Sequence, residues 1–288
     1  MPELPEVETI AAGLRKKIVG LQVSGLCLTL PKLLRGTGVS ELDRLAGLRV
    51  VDVRRRGKML LVSLTGDRYL LFHLKMTGQF VWALNGTPRD VHTHLRISFR
   101  RRKHELRFRD VRKFGFLRVC ESPRPEDCGE IRSLGPEPLE IEEGAFRERL
   151  LRHKGRLKSL LLNQSFIAGI GNIYADEILF ESRLHPLTPA STLTAKEAHQ
   201  LWLAMREILG RAIAAGGSSI RDYKDADGLD GRFQFFHKAY GRKGLPCPRS
   251  CGGRVERLVI GGRASFFCPR CQLRKPKEER LNVKTLER

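Results

Sequence analysis

No apolar run in the chain approaches the ~20 consecutive residues needed to cross a bilayer. The first residues also lack the basic start and apolar core of a secretory signal. A membrane partner is therefore not expected, and the chain is expected to work in a reducing cytoplasm. There is no internal repeat and no low-complexity tract, so neither a solenoid nor a disordered polymer is indicated. Acidic residues are in deficit: 32 Asp and Glu against 53 Lys and Arg leave a formal charge of +21. An excess of that size does not decide the fold but points to a polyanionic partner, and nucleic acid is the candidate that survives. Cysteine is sparse, at seven residues. Cys27, Cys120 and Cys128 are scattered and read as small buried or incidental residues. Cys247, Cys251, Cys268 and Cys271 crowd together, which in a reducing compartment reads as metal before disulfide.

What is present suffices for two modest domains: 288 residues, 41% of them hydrophobic. Pro5 suits a first helical turn and Glu6 and Glu8 suit its positive end, after which Val7, Ile10, Ala11, Leu14 and Ile18 recur at helical spacing up to Gly20. From 21 to about 121 the pattern changes to short apolar runs between turn signals. Segments 58–64, 69–74 and 94–99 read as strands, and 106–119 as one or two more. Many short strands at this spacing predict a sandwich or barrel. A Pro-, Glu- and Gly-rich stretch follows, then helical patterns over 146–163, 172–182 and 194–215, and a glycine-rich loop over 216–231 with few apolar anchors.

The N-terminus carries chemistry if Met1 is removed. Pro2 then presents a secondary amine titrating near ~8, able to attack an electrophilic carbon and form an iminium ion. Glu3 beside it could move the required protons. On the residues alone, the plainer reading is that Pro2 and Pro5 frame a helix start whose dipole the glutamates complement. The string Met1-Pro2-Glu3-Leu4-Pro5-Glu6-Val7-Glu8-Thr9, however, resembles the start of the bacterial formamidopyrimidine-DNA glycosylases, and the resemblance runs from Pro2 to about Gln272. It implies that Pro2 attacks C1′ of a damaged nucleoside, that Glu3 donates protons, and that Glu6 belongs to the site. It also implies an enzyme, a bifunctional glycosylase and abasic-site lyase that excises 8-oxoguanine and formamidopyrimidines from double-stranded DNA. Strand cleavage would follow by β,δ-elimination, in a monomer of the bacterial cytoplasm associated with the nucleoid.

The remaining motifs extend the resemblance. Arg54-Arg55-Arg56-Gly57-Lys58 precedes a strand; a basic run is usually a solvated face, but the family pattern makes Lys58 a phosphate-contacting lysine that assists β-elimination. Met76, in His73-Leu74-Lys75-Met76-Thr77-Gly78, and Phe114 and Arg112, in the 107–115 segment, would otherwise be a core methionine and ordinary strand residues. Enzymes acting on a base must extrude it, and apolar wedges can fill the vacancy; the resemblance assigns Met76 and Phe114 that part, and Arg112 the orphaned base. His92 matches a phosphate contact. The 161–175 segment resembles a helix–two-turn–helix element, making Asn172, Lys154 and Lys158 candidate phosphate ligands near a helix N-terminus. The cysteines read C-x3-C, sixteen residues, C-x2-C, a tetrahedral structural zinc pattern with no open position for catalysis. The first knuckle is one residue longer than the family's. Arg263 between the pairs matches an arginine that holds phosphate and assists δ-elimination, and Tyr240 matches another phosphate contact.

The expected architecture is α+β: a catalytic β-sandwich with a leading helix over 1–121, a linker over 122–140 and a helix–two-turn–helix domain with a base-covering loop over 141–231. A zinc-finger hairpin holding one structural Zn2+ over 232–273 and a charged tail over 274–288 complete it. Two rivals remain: a sister glycosylase preferring oxidised pyrimidines, and a non-catalytic damage-binding protein using the same cleft. Pro2, Glu3, Lys58 and Arg263 occurring together argue against the latter.

Overall fold

The computed structural model describes residues 1–36, 38–220 and 223–274. The expected tail beyond Arg274 lies outside the described residues. The leading helix α1, Leu4–Ile18, has Pro5 in its first turn and turns Val7, Ile10, Ala11, Leu14 and Ile18 inward. It packs on a sandwich built from β1 (Val23–Leu28), the short helix α2 (Ser40–Asp43), β2 (Val50–Arg56), β3 (Met59–Leu64), β4 (Arg68–His73), β5 (Gly78–Leu84), β6 (Thr93–Phe99), β7 (His104–Asp110) and β8 (Phe116–Glu121). One sheet runs β2-β3-β4-β8 and the other β1-β6-β7-β5, all neighbours antiparallel.

All six residues of β3 are buried, which explains why its sequence is apolar but for Ser63. Leu60, Val62 and Leu64 enter the core between the sheets. Met59 and Leu61 face the other way, into a small cluster with Leu71, Phe116 and Ile131, the last from α3 (Gly129–Arg132). The 106–119 segment, expected as one or two strands, holds two, β7 and β8, separated by residues 111–115. Strands β1, β2 and β5 were not separately legible, because β1 and β2 are one-face-exposed and interrupted by polar residues.

Segment 122–140 is not an open linker. Glu137 is buried, with Oε1 accepting from the Gly57 backbone at 2.7 Å and from Arg56 at 2.9 Å, and Oε2 accepting from Arg55 at 2.6 Å. The segment thus ties the β2–β3 turn, and Lys58 within it, to the second domain. Cys120 and Cys128 are not separate incidental residues either: they are joined as a disulfide, Cα to Cα 6.3 Å, while Cys27 is free.

The second domain comprises α4 (Glu143–Leu151), α5 (Leu157–Leu162), α6 (Asn172–Glu181) and α7 (Ala195–Ala214) around a core that includes Phe146, Phe166, Tyr174 and Leu201. The single helix expected over 146–163 is two. The backbone N–H groups of Leu157 and Lys158 donate to Thr188 and Pro186 carbonyls, so the preceding turn cannot continue into α5. Helix α7 starts with a reciprocal Thr194–Glu197 capping box. The loop over 216–231 has more anchorage than expected: Tyr223 and Ala226 are buried in the sandwich core. A hairpin of β9 (Glu256–Ile260) and β10 (Arg263–Phe267) follows. Among the described residues no helix is long and apolar enough to cross a membrane.

Candidate active site and nucleic-acid interface

The N-terminus is sewn into the second domain. Leu4 belongs to the helical core, and its N–H donates to the Gly169 carbonyl at 3.0 Å. The Glu3 carboxylate crosses to the start of α6 and accepts from the backbone N–H groups of Gly171, Ile173 and Tyr174 at 2.8, 3.0 and 3.3 Å. Free N–H groups and the helix dipole make that terminus an anion site, and here the anion is a side chain from the other domain. Gly171 is required by the approach: a Cβ there would lie 2.2 Å from Glu3 Cδ.

Glu6 forms the next layer. Its carboxylate accepts from the Glu3 N–H at 2.7 Å, the Ser218 N–H at 2.7 Å and the Tyr174 hydroxyl at 2.5 Å. The loop approaches so closely that a Cβ on Gly217, itself at φ +80°, would meet Glu6 at 2.7 Å. Ser218 Oγ lies 3.1 Å from His237 Nε2, so a chain of polar contacts joins the base of the zinc hairpin to α1. Burial, then the Glu3 carboxylate, push Glu6 from 4.5 up to about 7, against the three donors that favour its anion. A raised carboxyl contributes most stability below its unfolded value and loses it as pH rises through the folded one. The stability gap between Glu6→Gln and the native chain should therefore move in the variant's favour between pH 4.5 and about 7, by up to about 3 kcal/mol, and then level off. Urea melts of both proteins at pH 4.5 and 7.5 check this; a pH-independent gap would show that Glu6 titrates as an ordinary carboxyl.

Pro2 is buried at the edge of a cavity of about 420 Å³ that is also lined by Glu6, Met76, Arg112, Ser218 and Tyr240. Lys58 is buried nearby. Burial lowers its pKa, Arg263 and Lys75 lower it further, and Glu3 and Glu6 oppose the shift. These influences place Glu3, which follows Pro2 in sequence, in one neighbourhood with Glu6, Lys58 and Arg263, although the four span almost the whole chain. Met76 and Phe114 are exposed on adjacent loop tips, with the Arg112 guanidinium 4.8 Å from the Phe114 ring centre. His92 is half-buried on the β5–β6 loop and Lys154 is exposed between α4 and α5. Arg35 and Lys75 were not singled out from sequence. The Arg35 guanidinium stacks 4.2 Å over Phe116, and both residues act on the titration of His73, which burial drives down to about 3. No local sequence signal marks a lone arginine just after the short helical turn Pro31–Leu33.

Lys158 and Asn172 face the protein rather than open solvent. Lys158 is 0% exposed, and Nζ donates to the Asn172 carbonyl at 2.8 Å and to Asp176 at 2.7 Å. Asn172 Nδ2 donates to the Ala264 carbonyl at 2.9 Å, and Asp176 also accepts from the Phe266 N–H at 3.1 Å. The pair thus anchors the hairpin carrying Arg263, and the phosphate contact expected of Lys158 is not available to an amino group held this way. Lys158→Ala should leave Asp176 buried alone and cost about 3–5 kcal/mol of stability. The salt dependence of DNA affinity should not change. Unchanged melting with a log–log salt slope lowered by roughly 0.9 would return Lys158 to the phosphate contacts.

The four clustered cysteines have their sulfurs within 4.8 Å of one another, with Cys247 to Cys271 at 3.7 Å and Cys251 to Cys268 at 3.6 Å. A tetrahedral site with Zn–S near ~2.3 Å needs sulfur separations near ~3.8 Å, so the set fits one structural zinc. The longer first knuckle is absorbed at Ser250, which takes φ +52° while its N–H donates to the Cys247 carbonyl at 3.0 Å. The extra residue bulges out and leaves the thiols in register.

A sandwich with Pro2 against a cavity, joined to a helical domain and a four-thiolate hairpin, has the build of a DNA-repair glycosylase. Three family models match along the chain: the formamidopyrimidine-DNA glycosylase N-terminal domain over 1–117, the H2TH domain of the same glycosylases over 134–224, and the zinc finger found in FPG and IleRS over 244–274. The formamidopyrimidine-DNA glycosylase of Pelotomaculum thermopropionicum is 40% identical over 94% of this chain and 99% of its own length. That of Solibacter usitatus is 42% identical over 95% and 100%. The Lactococcus lactis Fpg in complex with abasic-site DNA superposes with a TM-score of 0.88 at 36% identity, covering 94% of this chain and all of that one. MutM bound to DNA containing carbocyclic 8-oxo-G gives 0.87 at 36% identity over 95% and 100%. The chain belongs to the formamidopyrimidine-DNA glycosylase family.

Proposed function

We infer that this chain excises oxidised purines, 8-oxoguanine and formamidopyrimidines, from duplex DNA and then cuts the strand at the resulting abasic site. The observation that carries the reading is the placement of Pro2 on the cavity beside Glu6, with Lys58 and Arg263 converging from two other elements. Once Met1 is gone, the Pro2 nitrogen attacks C1′; the C1′–N bond breaks, the base leaves with a proton, and the sugar ring opens to an iminium ion. Glu3 is suited to deliver and recover protons, being held by three donors beside the amine. Loss of a C2′ proton expels the 3′ phosphate by β-elimination, and a second elimination expels the 5′ phosphate. Arg263 and Lys58 provide cationic charge for the departing phosphates.

Met76, Phe114 and Arg112 project from loop tips and are placed to enter the duplex, while His92, Lys154 and Tyr240 are candidate backbone contacts. The zinc is structural: four thiolates leave no open coordination position. All proposed catalytic groups come from one chain, which supports a monomer, and the similarity to bacterial repair glycosylases supports a place in the bacterial cytoplasm, at the nucleoid. Excision rates on duplexes carrying 8-oxoguanine opposite cytosine and an oxidised pyrimidine opposite adenine test the substrate class. The purine lesion should be preferred by about tenfold or more, equivalent to roughly 1.4 kcal/mol of transition-state discrimination. The reverse preference would move the chain to the sister glycosylases.

A further inference from the structure

Asp110, the last residue of β7, is fully buried, yet no Lys or Arg pairs with it among the described residues. Its carboxylate is satisfied by donors from two loops. Oδ1 accepts from the Thr77 hydroxyl at 2.5 Å and the Arg112 N–H at 3.2 Å, and Oδ2 accepts from the Gly115 N–H at 2.7 Å. The Thr77 hydroxyl in turn accepts from the Arg112 N–H at 3.1 Å. The Asp110 backbone holds a third segment: its N–H donates to the His92 carbonyl at 2.9 Å, and its carbonyl meets His94 Nε2 at 2.9 Å. One residue therefore links the Lys75–Gly78 turn bearing Met76, the 111–115 turn bearing Arg112 and Phe114, and the start of β6 beside His92. These tips carry apolar side chains outward, Met76 39% and Phe114 51% exposed, whereas the residue joining them is 0% exposed.

A buried carboxylate without a cation is a costly way to end a strand unless every oxygen is hydrogen-bonded, and an apolar residue would fill the same volume more cheaply. What an apolar residue cannot do is fix two loops against each other through directed acceptors. We propose that Asp110 is a positioning residue that locks the Met76, Arg112 and Phe114 tips into one rigid unit, so that all three enter the duplex together when the damaged base is extruded. The proposal rests on the extrusion role given above to those tips. Asp110, being fully buried, acts only through the loops. A wedge that must displace stacked bases, at a few kcal/mol per step, loses effect if its tips move independently.

The test compares excision at 8-oxoguanine in intact duplex with cleavage at a preformed abasic site, where no base needs extruding, and reads the ratio. Asp110→Asn keeps the volume but turns an amide donor toward one of the two sets of N–H and O–H donors. It should lower the ratio by about tenfold or more, as should Phe114→Ala, and the double variant should fall no further than about twofold below Phe114→Ala because the two act on one step. Thr77→Val removes a single link of the network and should shift the ratio the same way, which keeps the test decisive if Asp110→Asn does not fold. A native ratio in the folded Asp110 or Thr77 variant, or losses that multiply in the double variant, would overturn the proposal. A native ratio in Phe114→Ala would instead bring down the extrusion reading, and the proposal with it.

Discussion

A chain that retains Met1, or carries any residue before Pro2, is expected to form no borohydride-trapped adduct and to lose base excision by about ten-thousandfold. With Met1 attached, the Pro2 nitrogen is an amide whose lone pair is delocalised into the carbonyl and cannot attack carbon. Removing Met1 yields a secondary amine with a pKa near ~8, partly unprotonated at neutral pH. Nearby Lys58 and Lys75, whose pKa values burial lowers, are alternative amines in the neighbourhood. Mass mapping of the adduct therefore matters as much as its presence. A trapped peptide containing Lys58 rather than Pro2 would transfer the nucleophile's role, and undiminished trapping in a chain that keeps Met1 would end the assignment. Since Glu3, Leu4 and Glu6 stay bound to α6 and the 217–218 loop in either form, an N-terminal block should leave the melting temperature almost unchanged.

The second large effect concerns the metal. The native protein should contain one zinc, and Cys268→Ser should lose it and weaken binding to abasic-site DNA by about a hundredfold or more. Zinc binding supplies on the order of 10 kcal/mol to the folding of small fingers, far more than a two-stranded hairpin can offer on its own. The damage should stay local. The hairpin meets the rest of the protein through Asn172, Asp176 and a small cluster around Phe180, Phe266 and the cysteines, whereas the sandwich core lies elsewhere. Circular dichroism should thus retain the sandwich and helix signals while DNA affinity falls. Elemental analysis that finds no zinc in active native protein would refute the site, and a global unfolding transition in Cys268→Ser would show that the hairpin is not a separable unit.

What sequence could reveal here divides along physical lines. The leading helix, the fully buried strand β3 and the largely buried strand β4 were legible because their apolar periodicity or continuity reflects burial directly. The four cysteines were legible because metal ligation constrains spacing. The division of 146–163 into α4 and α5 was not, because it depends on carbonyls of Pro186 and Thr188 some thirty residues away taking the N–H groups a continuous helix would use. The same holds for Lys158: a lysine near a helix N-terminus reads as a phosphate ligand until Asp176, one helix away, is seen beneath it. Asp110, Glu137 and Tyr174 were passed over because a buried polar residue carries no periodic signature. Its meaning lies in which loops it joins, and that is known only once the chain has folded.

The sharing of the first few residues between two cores also bears on the order in which the molecule becomes active. Residue 2 is among the first to leave the ribosome, but its surroundings are finished only when residues 169–174 have folded and the Ser218 loop has closed over Glu6. A nascent or truncated chain holding only the sandwich would carry Pro2 without the complete cavity, the three N–H groups that anchor Glu3 or the hairpin that bears Arg263. If Pro2, Glu3 and Arg263 act as proposed, an incomplete copy could not cut DNA, because its first helix is tied down by segments that are made much later.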